Sequence, residues 1–300
     1  MNEPRSERIE ASTEAAELVR ALVDNLARVL HAPQETLRLC VLCLVSEGHL
    51  ILEDFPGVGK TMLAKALARS LDVSFSRMQF TPDLLPSDVT GVNVFDQRSN
   101  EFEFRPGPVF ANLLLVDEIN RASPKTQAAL LECMQEQQVT IDGVSYELAR
   151  PFMVMATQNP IEYEGTYPLP EAQLDRFTMR ISIGYPPLAQ EAQMLTEQTA
   201  DPPLDALEPV ANAADAIALA DEAKGIYVEE SLNRYVVALL RVGKARALAA
   251  GRTFLEPDDV KAVAVAVLAH RLILAPEARS SGLTGEQIVQ ETLEKTPVPV

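Results

Sequence analysis

Residues 53–67 read EDFPGVGKTMLAKAL, and this stretch decides how the chain folds. It continues the apolar run His49–Glu53, which predicts a buried strand, and it leads into residues with helical spacing. In a strand–loop–helix unit of this kind, glycines let backbone N–H groups approach phosphate oxygens, and the helix N-terminus attracts the anion. We therefore expect a phosphate-binding loop at residues 53–61.

The end of this loop predicts specific contacts with a nucleotide. Lys60 is expected to contact the β- and γ-phosphates, and the Thr61 hydroxyl to ligate Mg²⁺. Asp54 stands where the general G-x-x-x-x-G-K-[ST] pattern has its first glycine. Because Asp54 is five residues before Gly59, away from the tightest part of the cradle, we interpret it as a tolerated variation. The predicted nucleotide-binding set is Pro56, Gly57, Val58, Gly59, Lys60, Thr61 and Met62.

A second acidic element follows downstream, where four apolar residues, Leu113–Val116, run into Asp117 and Glu118. An acid at the end of a buried strand beside a phosphate loop can reach Mg²⁺ or its water shell. Asp117 is therefore predicted to bind nucleotide and, with Thr61, the metal. Glu118 is then placed to polarise the attacking water, as phosphoryl transfer requires. Together the two elements predict a protein that binds and hydrolyses ATP.

Two more polar residues are candidates for the same chemistry. Asn159 ends a further predicted strand, where an amide could orient the water or touch the γ-phosphate; an ordinary strand-end residue is an equal alternative. Arg176 follows a short helix that begins at Pro170. An isolated arginine at such a place is more often a surface residue, so the residues alone leave the role of Arg176 open.

Strand-like and helix-like patterns alternate up to about residue 187, which predicts an α/β fold with a parallel sheet flanked by helices. Strands are predicted at His49–Glu53, Phe75–Phe80, Leu113–Asp117 and Pro151–Thr157, and helices at 13–30, 34–47, Gly59–Leu71 and Ser123–Gln137. The proline-rich segment 81–108 is interpreted as an excursion from this core. Segment 138–149 is predicted to be a hairpin because Asp142-Gly143 lies between alternating apolar residues. Beyond residue 187 helical patterns dominate, so we predict a core over 1–187 and a helical domain over 188–300.

Composition disfavours several classes of protein. The 300 residues carry a formal net charge of −17, which disfavours nucleic acid, because such binding depends on Lys and Arg neutralising phosphates. No apolar run is long enough to cross a membrane, and the N-terminal residues do not read as a secretory signal, so we expect a cytoplasmic protein. Cys40 and Cys43 form a C-x-x-C, but they lie in an apolar, helix-like run without a second pair. We interpret them as buried hydrophobic residues rather than a redox pair or half of a zinc site.

Four segments in this order, PGVGKT, LLLVDEINRA, ATQNP and PEAQLDRF, resemble the MoxR family of AAA+ ATPases. The similarity extends from about Val29 to the C-terminus and includes GRTFLEPDDVKAVAVAVLAHRL. It implies a P-loop NTPase (AAA+) core with a C-terminal all-α lid, and segment 81–108 resembles the family's insertion within its second helix. It also implies roles for single residues: Lys60 and Thr61 as Walker A, Asp117 and Glu118 as Walker B, Asn159 as sensor 1, and Arg176 as an arginine finger acting on a neighbouring subunit.

The resemblance implies partners as well. A finger acting in trans implies a homo-oligomeric ring, typically a hexamer, and the family suggests chaperone-like work on a protein client, often with a von Willebrand factor A domain protein. One departure concerns the lid, where the family's Gly-Ala-Ser-Pro-Arg segment is absent. Arg234 falls where the sensor 2 arginine would stand, although its neighbours match the preceding helix better.

Three alternatives remain open from the sequence. The shortened lid suits a nucleotide-gated binding module with little turnover, against which the intact Glu118 argues. The ATPase subunit of a metal chelatase belongs to the same branch. A nucleic-acid motor shares the insertion and the hairpin, but the acidic charge disfavours it.

Overall fold

The computed structural model describes residues 5–54, 56–158, 166–184, 204–226, 237–272, 274 and 282–295. The strands are β1 (Leu50–Glu53), β2 (Phe75–Gln79), β3 (Gly91–Asp96), β4 (Glu101–Pro106), β5 (Leu113–Asp117), β6 (Gln138–Ile141), β7 (Val144–Glu147), β8 (Met153–Gln158) and β9 (Met179–Ile181). The helices are α1 (Arg5–Ala27), α2 (Gln34–Val45), α3 (Lys60–Ser70), α4 (Pro86–Thr90), α5 (Pro124–Glu136), α6 (Glu171–Leu174), α7 (Ala213–Gly225), α8 (Val237–Ala249), α9 (Pro257–Leu268) and α10 (Gly285–Lys295). Short 3₁₀ turns occupy Pro108–Phe110, Ile119–Arg121 and Ala269–Arg271.

Five strands form one parallel sheet in the order β2-β5-β8-β1-β9, which confirms the predicted α/β fold. Strand β8 lies between β1 and β5. Because parallel strands end at the same edge, the loop after β1 and the acids at the end of β5 lie on either side of the end of β8. This strand order brings the two predicted motifs together.

The sheet is covered on both faces, as a parallel sheet requires. Leu50 and Leu52 of β1 face one apolar cluster, which includes residues of α1, α2 and α3, and Ile51 faces the other, which includes residues of α5. Successive residues of a strand point to opposite faces, so a short run of apolar residues fills both layers. The phosphate loop therefore starts from a strand whose three apolar residues, Leu50, Ile51 and Leu52, are fully buried.

Two antiparallel hairpins project from this core. The first, β3 and β4, lies within segment 81–108, and the second, β6 and β7, turns at Asp142 and Gly143, both with positive φ. They contact each other: the rings of Phe104 and Tyr146 stack with centroids 4.2 Å apart, and Asn93 Nδ2 donates to Asp142 Oδ2 at 2.7 Å. Segment 81–108 is thus a short helix and a hairpin joined to the second hairpin.

The residues described after 203 are helical apart from turns and a single bridge residue, and helices α7 and α8 pack on α2. Their apolar residues belong to the same cluster as those of α1 and α2. We call the described residues after 203 the helical region. Ion pairs join this region to α2 and the turn after it, with Lys224 Nζ 2.6 Å from Glu47 Oε2 and Arg246 Nη1 3.2 Å from Glu35 Oε1. The predicted boundary near residue 187 falls outside the described residues.

Two smaller expectations concern α1 and the cysteines. Helix α1 begins earlier than the predicted residue 13, because the Glu- and Ala-rich start favours helix without an apolar stripe. Cys40, Cys43 and Cys133 are buried and form no disulfide, and burial raises the pKa of Cys40 to about 12. Among the described residues, no helix is both long and apolar enough to span a bilayer.

Candidate functional site

The phosphate loop joins the end of β1 to the start of α3. Gly57 and Gly59 have φ angles of +89° and +95°, which side chains with a Cβ rarely adopt. Gly59 precedes the first helical residue, Lys60, so the first backbone N–H groups of α3 have no partners within the helix. The loop has the backbone geometry of an anion cradle.

A cavity of about 440 Å³ opens in front of this loop. Its lining residues are Asp54, Pro56, Gly57, Gly59, Lys60, Thr61, Met62, Arg77, Gln79, Asp117, Glu118 and Thr157. The predicted loop residues and both predicted acids are therefore gathered in one place, apart from Val58, whose side chain packs against the apolar cluster. A nucleotide in this cavity would contact the residues that line it.

Lys60 is held back toward the start of the loop. Its Nζ donates a hydrogen bond to the backbone carbonyl oxygen of Asp54 at 2.5 Å. Burial lowers the pKa of Lys60, although the nearby carboxylates of Asp54, Asp117 and Glu118 act in the opposite direction. Negative charge close to this half-buried ammonium group stabilises its charged form, so Lys60 can bind phosphate oxygens.

Asp117 is buried and accepts two hydrogen bonds. Arg77 Nε donates to its Oδ2 at 2.7 Å, and Thr157 Oγ1 to its Oδ1 at 3.3 Å. Thr61 lines the same cavity, and Mg²⁺ is usually held by one or two protein ligands together with phosphates and water. Thr61 and Asp117 therefore fit a magnesium ion that arrives with a nucleotide. The described residues contain no group of three or more His, Cys, Asp or Glu that could hold a metal alone.

Glu118 directly follows β5 in a left-handed backbone conformation, with φ of +55°. Its N–H donates to Thr157 Oγ1 at 3.0 Å, and its carboxylate pairs with Arg121 Nη1 at 2.6 Å. A non-glycine residue in this conformation is strained by about 1–3 kcal/mol, and such strain is common at functional sites. Thr157 connects the backbone of Glu118 to the carboxylate of Asp117.

Asp54 does more than fit its position. Its carboxylate is buried and accepts hydrogen bonds from Ser182 Oγ and Ile183 N, both at 2.6 Å, and from Gly184 N at 3.2 Å. These three donors follow β9, the strand beside β1. A glycine at position 54 would remove the acceptor for all of them, so Asp54 anchors the start of the loop.

Sequence reasoning missed three residues that line the cavity: Arg77, Gln79 and Thr157. Arg77 and Gln79 alternate along β2 with Met78 and Phe80, which are buried, so the alternation itself was a readable signal. The missing information was that β2 lies beside β5, since only this neighbour relation places Arg77 on Asp117.

The remaining predicted residues lie away from this cavity or outside the described part. Arg176 is exposed and comes just before β9, and its Nη1 donates to the carbonyl oxygen of Leu131 at 2.7 Å. Met179 at the start of β9 is paired with Leu50 at the start of β1, so Arg176 lies at the sheet edge opposite the phosphate loop. Asn159 and Arg234 lie outside the described residues.

A glycine loop, a lysine and an acid pair at one edge of a sheet in this strand order, with helices following the sheet, define a AAA+ type of P-loop NTPase. Comparisons with known proteins agree. The profile of the "ATPase family associated with various cellular activities (AAA)" matches residues 49–179, and that of the "AAA lid domain" matches residues 231–292.

Similar proteins cover almost the whole chain. YeaC of Bacillus subtilis is 45% identical, over 94% of this chain and 95% of YeaC. Chaperone MoxR1 of Mycobacterium tuberculosis is 36% identical, over 96% of this chain and 84% of MoxR1. A crystal structure from Cytophaga hutchinsonii, 35% identical in sequence, superposes with a TM-score of 0.88 over 97% of this chain and 98% of that one. The chain belongs to the MoxR family of AAA+ ATPases.

Proposed function

We propose that this chain hydrolyses ATP in a Mg²⁺-dependent reaction and uses the energy to remodel other proteins. The observation that supports the reaction is that Lys60, Thr61, Asp117 and Glu118 line one cavity in front of a glycine loop. These residues are candidates for four of the roles in phosphoryl transfer: a phosphate cradle, a cation, metal ligands and a general base.

The contacts of Lys60 and Glu118 suggest how ATP would reorganise the site. Lys60 would leave the carbonyl oxygen of Asp54 for the phosphates, which carry more negative charge. Glu118 would leave Arg121 and accept a proton from the attacking water. A magnesium ion held by Thr61 and Asp117 would neutralise charge on the phosphate oxygens. Asn159 is proposed to orient the water, as sensor 1 of this family.

The test is to measure phosphate release and ATP binding by the wild type, Glu118→Gln and Lys60→Ala. Glu118→Gln should lower kcat by about 10²–10⁴-fold, because general base catalysis is lost, while ATP affinity changes little. Lys60→Ala should weaken ATP binding itself. Equally low phosphate release by the wild type and Glu118→Gln would reject hydrolysis and leave a nucleotide-gated binding module.

We also propose that the chain assembles into a ring in which Arg176 acts on the neighbouring subunit. The strand from Leu50 to Asp54 alone separates the two sheet edges by about 13 Å, at 3.3 Å per residue. This distance supports a role for Arg176 on a neighbouring subunit rather than on its own nucleotide. A finger of this kind can raise the rate by ~10³–10⁵. Specific activity should therefore rise with protein concentration, and sedimentation with ATP should show an oligomer, for which we propose a hexamer.

The proposed cellular role rests on the relative named Chaperone MoxR1. We propose a chaperone-like action on a protein client, with a von Willebrand factor A domain protein as a partner and no requirement for nucleic acid. A cytoplasmic location suits three cysteines without disulfides. Affinity capture with Glu118→Gln, which should bind ATP without hydrolysing it, would recover these partners; capture independent of ATP would contradict the role.

A further inference from the structure

A single arginine of the helical region binds the segment that carries Arg176. Arg271 lies in the 3₁₀ turn that follows α9, and its side chain is only 17% exposed. Its Nε is 2.7 Å from Asp175 Oδ1, and Nη2 donates to the carbonyl oxygens of Phe177 at 3.1 Å and Asp175 at 3.3 Å. Nη1 donates to the carbonyl oxygens of Thr178, at 3.4 Å, and of Val267 in α9.

These contacts fix the backbone on both sides of Arg176. The carbonyl groups of residues 175 and 177 both accept from one rigid guanidinium group, which restricts the rotations that orient residue 176. Phe177 is fully buried, and His270 Nε2 lies 3.3 Å from its carbonyl oxygen. Arg176 is therefore an exposed residue whose backbone is held in place on both sides.

Arg271 also connects this segment to the helical region. Arg271 also binds the last turn of α9 through the carbonyl oxygen of Val267, and α9 packs against β9. The start of α9 is held separately by Arg252, which makes two hydrogen bonds to the buried carboxylate of Asp259, at 2.6 and 2.7 Å. Movement of α9 would thus be transmitted to segment 175–178.

We propose that Arg271 is a positioning residue for Arg176. It links the helical region of a subunit to the arginine that the same subunit presents to its neighbour. A change in the helical region on nucleotide binding would then alter hydrolysis at the next site of the ring. This proposal rests on the trans role proposed for Arg176.

The experiment mixes two subunits that are each inactive. Glu118→Gln subunits keep Arg176 but cannot hydrolyse, and Arg176→Ala subunits keep Glu118 but lack the finger. In a ring assembled from equal amounts, an Arg176→Ala site beside a Glu118→Gln subunit regains its finger. Restoration should reach about a quarter of the wild-type rate if subunits mix at random in a symmetric ring.

Arg271→Ala is then added to one partner at a time. In the Glu118→Gln subunit, which donates the finger, it should reduce the restored rate by at least ~10-fold, by analogy with the size of a finger contribution. In the Arg176→Ala subunit, which hydrolyses, it should leave the restored rate within about 2-fold. With Arg271→Lys in the subunit that donates the finger, the restored rate should lie between these two results, because lysine keeps the charge but not the planar set of hydrogen-bond donors.

Lys224→Ala provides a matched control, because Lys224 also joins the helical region to the core, through Glu47, without touching segment 175–178. It should act equally in both arrangements. If Arg271→Ala prevents assembly, Asp175→Asn tests the same link from an exposed position. Equal loss from Arg271→Ala in both arrangements overturns the positioning role. Failure of the parent pair to restore activity overturns the trans role of Arg176 and this proposal with it, while wild-type hydrolysis stays intact.

Discussion

Arg77 of β2 and Asp117 of β5 are joined across neighbouring strands, with Nε of the arginine 2.7 Å from Oδ2 of the aspartate. In the strand register Arg77 lies opposite Leu115, and Gln79 lies opposite Asp117, so the arginine reaches along the sheet to the acid. The carboxylate proposed to hold Mg²⁺ thus already has a cation beside it. Metal and arginine are expected to compete for the same oxygen atoms.

Removing this competitor should make the metal bind more easily. With Arg77→Ala, the Mg²⁺ concentration that gives half-maximal ATP hydrolysis should fall by up to ~10-fold, since a close charge near a protein surface contributes a few kcal/mol. A Mg²⁺ titration at saturating ATP measures this midpoint. Arg98→Ala, in the exposed turn between β3 and β4, is the control and should change nothing. A raised midpoint would mean that Arg77 binds phosphate instead.

Thr157 is expected to fix the positions of Asp117 and Glu118 relative to each other. Thr157→Val keeps the shape of this buried side chain but removes the acceptor for the Glu118 N–H and a donor to Asp117. We expect kcat to fall by about 10-fold with a smaller change in KM, because misplacing a catalytic group by a fraction of an ångström is costly. Steady-state kinetics should show recovery in Thr157→Ser. Thr140→Val, which removes an exposed hydroxyl of the second hairpin, is the control; equal losses in both variants would argue against positioning.

Asp54 is expected to stabilise the protein. Asp54→Gly restores the general loop pattern but leaves the N–H of Ile183, a buried residue, without its acceptor. An unsatisfied buried donor costs about 1–3 kcal/mol, so the free energy of unfolding should fall by that amount. Urea denaturation measures it, with Asp24→Asn on the exposed side of α1 as control. A more stable Asp54→Gly variant would restore the view that Asp54 is merely tolerated.

Two buried histidines should make stability depend on pH. Burial lowers the pKa of His49 and of His270 to about 4. His49 Nδ1 accepts from the Val154 N–H at 3.0 Å, so a proton on that nitrogen would break a hydrogen bond. Between pH 6.5 and 4 the unfolded chain binds the protons that the folded one excludes, and the free energy of unfolding must fall as the pH falls.

The expected size is about 2 kcal/mol for each histidine on going from pH 7.5 to pH 5. Denaturation curves at the two pH values measure it in the wild type and in His49→Gln. The variant starts less stable, because it loses buried contacts, but its pH dependence should be smaller by roughly half. An unchanged dependence in His49→Gln would show that other groups are responsible.

Local patterns were sufficient for much of the site. The glycines of the loop are needed where the backbone takes positive φ. Lys60, Thr61, Asp117 and Glu118 lie at or after the ends of strands that are apolar enough to be recognised in the sequence. Asp142-Gly143 predicted its turn for the same reason. Each of these signals concerns a few consecutive residues, whose backbone preferences and periodicity can be read without knowing their neighbours in space.

Other contacts depend on which distant segments become neighbours. Arg77 reaches Asp117 because β2 lies beside β5, and the carboxylate of Asp54 is bound because β9 lies beside β1. Arg271 binds the backbone around Arg176, ninety-odd residues away in the chain, because α9 packs on β9. Hydrogen bonds act over about 3 Å, and no pattern of spacing along the chain encodes which strand or helix will come that close. The sequence thus indicates which residues are candidates for the chemistry, and the packing of the sheet and helices determines which other residues hold them in position.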